Sequence, residues 1–297
     1  MRNYSCVNFK ETRSKMAKLK SIIIECIICF RYGVDPRFFI PAIYKKFPKY
    51  KFAFPFKTFL EGNSLKHLPV SLKKIVPLLS ETCNLKTYYD IFTSFFFFQD
   101  YVPKKGWSII DAGAHKGIYT ELCAHLVGQG GRVIAIEANP ILCTNLREKF
   151  KNSAFNIEVL ERALGEGDKF VRFYVSSDFP SVSSLYRSHV DLFNANLVST
   201  EVYGYSIDSV AEEGKIKNID LVKIDIEGGE LNALKGALNS MSNGLIKRFI
   251  IEVHEDVISR RTIIKFLSKY GYQSRVVINT SGLVKPYIYS KYSKTIT

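Results

Sequence analysis

The chain has 297 residues, 46% of them hydrophobic and 24% charged, with a formal net charge of +14. This is ordinary globular usage, enough for one large or two smaller domains, and it excludes global disorder. The charge is uneven: residues 1–105 hold 19 Lys+Arg against 7 Asp+Glu, and residues 106–297 hold 23 against 21. A basic first third suits an anionic partner (nucleic acid, membrane surface or acidic glycan) and equally suits a plain lysine-rich surface, because charge alone names no partner.

In chain order, the first feature is the run Ile22–Phe30, apolar except for Glu25. It is shorter than the roughly 20 residues a spanning helix needs. Its long basic lead and the lack of a small-x-small cleavage site argue against a signal peptide. A buried helix is expected, with an interfacial membrane helix as the second reading. Cytoplasmic placement follows, with peripheral membrane contact as its variant and no transmembrane segment. Cys26 and Cys29 form a lone C-x-x-C inside this run. No second pair follows at zinc spacing, so buried structural thiols are expected. Pro36, Pro41, Pro48, Pro55, Pro69, Pro77 and Pro103 break residues 1–105 into short pieces. Four adjacent phenylalanines, Phe95–Phe98, cannot share one helical face and should be buried on several sides.

From Trp107 the texture changes to alternating strands and helices. Strands are expected at 108–111, 132–136, 156–160, 170–176, 219–225, 249–253, 272–278 and 285–289. Helices are expected at 118–127, 140–150, 229–238 and 256–270, and Cys123 and Cys143 read as helix-core packing. Regular alternation implies a mostly parallel sheet with helices on both faces. Ligands then bind beyond the carboxyl ends of the strands, near the point where strand order reverses.

The stretch Asp111-Ala112-Gly113-Ala114-His115-Lys116-Gly117 follows a strand and opens a helix. Gly113 permits a tight turn, and Gly117 allows a close helix–strand approach with room for a ligand. The first amides of the helix suit a carboxylate. Asp111 can accept from an ammonium group or organise the loop. Glu137, at the end of the next strand, can accept both hydroxyls of a ribose. Nicotinamide folds prefer G-x-G-x-x-G, and an acid at 111 would repel a pyrophosphate. The turn therefore favours S-adenosylmethionine.

Together, D-A-G-A-H-K-G-I-Y-T at 111–120, V-I-A-I-E-A-N-P at 133–140, D-L-V-K-I-D-I-E-G-G-E at 220–230, L-K-G-A at 234–237 and I-I-E-V-H at 250–254 resemble the FkbM family of methyltransferases. The resemblance covers roughly residues 88–255. It implies an α/β, class I methyltransferase (Rossmann-like), doubly wound fold over 88–297. Residues 1–87 would then be a basic, aromatic-rich extension that matches nothing recognised. It also implies S-adenosylmethionine as donor and a hydroxyl of a sugar or small metabolite as acceptor. Carried over by position, Asp111, Gly113, Ala114, His115 and Gly117 form the loop at the methionine end of the donor, and Glu137 with Ala138 lies at the ribose. The family often has Asn at the place of His115 and Pro at that of Ala138.

Asp225 ends the strand expected beside the 108–111 strand, Glu227 opens the following helix, and His254 ends the next strand. Any of the three could take the acceptor's proton. Alternatively, two carboxylates and a histidine could hold a divalent metal that lowers the acceptor's pKa. Glu227 could instead bind the free amides of its helix. Lys223 reads as structural, and Ser181–Ser184 with Tyr186 could line an acceptor pocket or form an ordinary loop. Two other functions stay open. A nucleic-acid methyltransferase could use the basic first third, although D-I-E-G at 225–228 stands where an N-P-P-Y-like motif would favour base amines. A non-catalytic module could keep the fold and dock on an anionic partner.

Overall fold

The computed structural model describes residues 99–176, 183–193, 196–277 and 286–293. These belong to one compact unit of the chain. The expectations for residues 1–98, including Ile22–Phe30, the Cys26/Cys29 pair and the Phe95–Phe98 run, lie outside the described residues.

The sheet is built on continuous apolar runs. Strand β1 (Ser108–Ala112) is buried in its last four residues, β2 (Arg132–Glu137) in its last five and β8 (Arg248–Glu252) in its last four. Strand β7 (Leu221–Ile224) is buried except at Lys223. Strands buried on both faces are what a helix-covered parallel sheet produces. With β3 (Ile157–Glu161), β9 (Tyr272–Val277) and β10 (Tyr287–Tyr292) the order is β3-β2-β1-β7-β8-β10-β9. The pairs β3–β2, β2–β1, β1–β7 and β7–β8 are parallel, whereas β10 runs antiparallel to β8 and β9. The order reverses at β1, and the register there sets Asp111 beside Lys223 and Ala112 beside Ile224.

Helix α1 (Ile118–Val127) lies between two glycines in positive φ, Gly117 at 71° and Gly128 at 68°. Helix α2 (Pro140–Phe150) has Pro at its start, where a missing N–H costs nothing, and Asn139 as its cap. The Asn139 side chain accepts from Ile141 N at 3.0 Å and Leu142 N at 3.4 Å. Cys123 and Cys143 are free thiols with no exposed surface, as core packing requires. Burial pushes both thiols up, Cys143 to about 11, so neither is a ready nucleophile.

Several boundaries differ from the sequence reading. A second sheet pairs β4 (Ala163–Leu164), β6 (Leu197–Tyr205) and β5 (Phe170–Ser176) in the order β4-β6-β5. Strand β6 was not anticipated, because polar Ser199, Thr200 and Glu201 interrupt its alternation; seven residue pairs with β5 hold it extended. Helices α3 (Arg187–Asp191) and α4 (Ile207–Glu213) were also missed. The helix expected over 229–238 is two pieces, α5 (Glu230–Lys235) and α6 (Leu238–Ser242), broken at Gly236. A Cβ on Gly236 would lie 2.0 Å from the Gly165 carbonyl oxygen, so the break is where two backbones meet. The last helix, α7 (Arg260–Lys269), starts four residues later than expected: Ser259 caps Thr262 N at 3.2 Å, and residues 254–258 turn instead.

The cap on α2 supports a first prediction. Asn139→Ala removes the acceptor for the amides of Ile141 and Leu142 and should destabilise the fold by about 1 kcal/mol. A thermal melt followed by circular dichroism should shift down by roughly 2–4 °C for a domain of this size; an unchanged midpoint would refute the cap's role.

Candidate active site

The turn 113–117 is shaped by two glycines, for different reasons. At Gly113 (φ 76°) a Cβ would lie 1.8 Å from the Asp225 carbonyl oxygen, so the ends of β1 and β7 meet backbone to backbone. At Gly117 a Cβ would strike Leu146 Cδ2 at 2.6 Å and Phe150 Cε2 at 2.8 Å. The space Gly117 leaves is therefore filled by α2 rather than kept for a ligand. Gly113 N and Ala114 N both donate to the Ile136 carbonyl, at 2.9 and 3.1 Å. His115 sits in the left-handed region (φ 50°), which His and Asn tolerate better than most residues. Burial, then nearby Lys116, lowers the His115 pKa.

Glu137 is held rigidly: its Oε2 accepts from His115 N at 2.8 Å and its Oε1 from Asn139 N at 2.9 Å. Burial raises its pKa, and the two amide hydrogen bonds counter this. A carboxylate offers about four lone-pair positions, so two amides leave capacity for two hydroxyls. Ala138 packs beneath this segment against Ala163, Phe173 and Val202.

Asp111 is fully buried. Its Oδ2 accepts from Thr120 Oγ1 at 2.6 Å, and its Oδ1 lies 3.5 Å from Lys223 Nζ. Lys223 also donates to the Gly113 carbonyl at 3.3 Å and lies 3.5 Å from Asp225 Oδ2. It thus ties the turn after β1 to the end of β7, a structural role.

The three residues expected to act on the acceptor lie beyond β7 and β8, with unequal freedom. Glu227 adopts φ 52°, a strained conformation for a non-glycine residue. It is kept there by Ser184 Oγ, which donates to its carbonyl at 2.6 Å. This turns its carboxylate away from the amides of α5: Oε2 lies 2.8 Å from His189 Nε2 and 2.8 Å from His254 Nε2. Capping of that helix by Glu227 is therefore replaced by contact with two imidazoles. His254 is fully buried, with Nδ1 2.7 Å from Glu230 Oε1. His189 Nδ1 is 2.5 Å from Asp256 Oδ2, and the two rings meet edge-on at 5.3 Å. Burial would raise the Glu227 pKa, but the two histidines hold it down to about 2. Burial would lower that of His254, but Glu227 and Glu230 raise it to about 10.

Asp225 and Glu227 fall in different donor groups. Asp225 groups with Glu252 and His254, and Glu227 with His189 and His254, so His254 is shared. Ser183 and Ser184 are buried and hold backbone, Ser183 Oγ accepting from Ser176 N at 3.2 Å. Tyr186 Oη accepts from Asn232 at 3.0 Å; Ser181 lies outside the described residues. His189, Glu230, Glu252 and Asp256 were missed from the sequence. Glu252, an acid inside the apolar run I-I-E-V, could have been flagged, because a buried charge demands a partner.

Residues 111–274 match the methyltransferase FkbM domain. The chain belongs to that family. A hexuronic acid methyltransferase, AglP of Haloferax volcanii, is 24% identical over 159 residues, which is 54% of this chain and 60% of the relative. A protein-L-isoaspartate O-methyltransferase of Aeropyrum pernix is 37% identical over 67 residues, 23% of this chain and 25% of the relative. The chain thus spans 60% and 25% of the lengths of these curated relatives. Among solved structures, methyltransferase FkbM from Methylobacillus flagellatus KT aligns with a TM-score of 0.48 at 18% identity, covering 87% of this chain and 62% of that one. The O-methyltransferase from Bacillus cereus in complex with SAH aligns at 0.39 and 14%, covering 85% and 97%.

The Gly113–Asp225 contact gives a second prediction. Gly113→Ala combines a positive φ with a backbone clash and should cost at least about 2 kcal/mol. Its melting midpoint should fall by roughly 4–8 °C. Gly130→Ala, where a Cβ meets nothing within 4 Å, should melt like the parent. Equal midpoints for the two variants would refute the close approach.

Proposed function

We propose that the chain transfers the methyl group of S-adenosylmethionine to a hydroxyl oxygen of a sugar, with a hexuronic acid as the favoured acceptor class. The observation that carries the reading is the preset Glu137 carboxylate beside the 113–117 turn, which lies next to Asp225 across the adjacent β1 and β7 strand ends.

The residues present fit the donor. Helix α1 has no side-chain cap, so its amino end suits the carboxylate of an amino-acid moiety. Glu137 has hydrogen-bonding capacity for two ribose hydroxyls. Bound there, S-adenosylmethionine supplies an electrophilic methyl group on a sulfonium. The chain's own part is to orient the acceptor and remove its proton as the oxygen attacks. Of the three expected groups, Asp225 suits that task best. The Glu227 carboxylate faces two imidazoles and is a weak base at about 2. His254 meets a carboxylate at each nitrogen and has no spare lone pair while charged. Asp225 keeps 19% of its side-chain surface exposed and, unlike Glu227, faces no imidazole pair; Lys223 Nζ, 3.5 Å away, holds it beside the 113–117 turn. The hexuronate preference is supported by the AglP relative, and the acidic glycan it implies is complementary to the chain's net charge.

The test has two arms. Calorimetric titration should show S-adenosylmethionine binding and no binding of NAD. Asp225→Ala should then lose methyl transfer to hexuronate acceptors by about 100-fold or more, with donor affinity within a few-fold of the parent. Turnover within a few-fold of the parent would remove Asp225 as the base.

A further inference from the structure

We propose that His189, Glu227 and His254 form a binding site for a divalent first-row transition cation. The three donor atoms lie within 4.8 Å of one another, and Glu227 Oε2 is 2.8 Å from each Nε2. Two imidazoles and one carboxylate are a ligand set for such ions. Metal–ligand bonds of about 2.0–2.2 Å place neighbouring donors roughly 3 Å apart, within reach of small side-chain rotations here.

The bracing of the rings supports the assignment. Each Nδ1 faces a carboxylate, His189 to Asp256 at 2.5 Å and His254 to Glu230 at 2.7 Å. An ionised carboxylate can only accept, so each Nδ1 carries the hydrogen. A neutral ring then presents a lone pair at Nε2, and both Nε2 atoms lie 2.8 Å from the same Glu227 oxygen, that of His189 in hydrogen-bonding geometry and that of His254 without it. Such an arrangement repels itself unless positive charge lies between. Two protons satisfy it by charging both rings, which are 1% and 0% exposed. One divalent cation satisfies all three donors together. Carboxylates on the far nitrogens are the outer support that metal-binding histidines use to fix ring orientation and basicity. The strain at Glu227 fits the same purpose, since φ 52° carries its carboxylate to the rings.

The ion's use in catalysis, binding the acceptor beside Asp225, rests on the proposed methyl transfer; its binding does not. The test uses the full chain, stripped with chelator and titrated with Co²⁺ while visible absorption and heat are recorded. One Co²⁺ per chain is expected, with bands of nitrogen–oxygen coordination. His189→Gln should weaken binding at least tenfold, and Asp256→Asn, which removes the carboxylate facing His189 Nδ1, by about 10–100-fold. If circular dichroism shows that His189→Gln does not fold, Asp256→Asn, at a side chain 29% exposed, decides. No binding at millimolar Co²⁺, parental affinity in the folded variants, or thiolate charge-transfer bands would each overturn the site. Binding of S-adenosylhomocysteine to the metal-free chain is scored separately, so failure of the metal site and failure of the donor reading remain distinct.

Discussion

The approach of Gly113 to the Asp225 carbonyl is the constraint on which this end of the molecule depends. Side chains on both backbones would hold β1 and β7 apart; with hydrogen on one of them, the two strands leave the sheet in contact. Lys223 then bridges Asp111, the Gly113 carbonyl and Asp225, so the turn of one strand and the acid of the next are fixed by one ammonium group. Glu137 adds a third fixed point through the amides of His115 and Asn139. Each of these groups is set before any ligand arrives, so little ordering remains to oppose binding.

Beyond β7 the chain accepts strain and buried charge together. Glu227 lies in the left-handed region, and its carboxylate is shared by two imidazoles whose far nitrogens meet further acids. Buried ion pairs seldom add much net stability, because desolvation consumes most of the Coulomb gain. Their persistence beside a strained residue at the strand ends points to function. The same network engages Glu227 and His254, whereas Asp225, just after β7, lies 3.5 Å from Lys223 Nζ.

How much of this was legible in the sequence follows from the range of each interaction. The parallel core announced itself through short apolar runs such as Ile109–Ile110 and Val133–Ile136, ending in Asp111 and Glu137. The β1–β7 adjacency and the turn likewise followed from motif order. Strand β6 was hidden because its extended form comes from pairing with β5, not from its own pattern. His189 was hidden for a similar reason: it lies 38 residues from Glu227 and 67 from Asp256, in a short helix with no motif of its own. Glu227 was visible as a residue but its partner set was not, since the choice between capping α5 and reaching two histidines depends on φ at one position.

The central claim is that the 113–117 turn and Glu137 form the seat of a nucleoside-bearing donor. A crystal structure of the chain with S-adenosylhomocysteine tests it most directly. The ribose hydroxyls should lie within hydrogen-bonding distance of the Glu137 carboxylate, with the amino-acid end at the start of α1. A nucleoside seated anywhere else, or a Glu137 carboxylate that touches no part of it, would contradict the account.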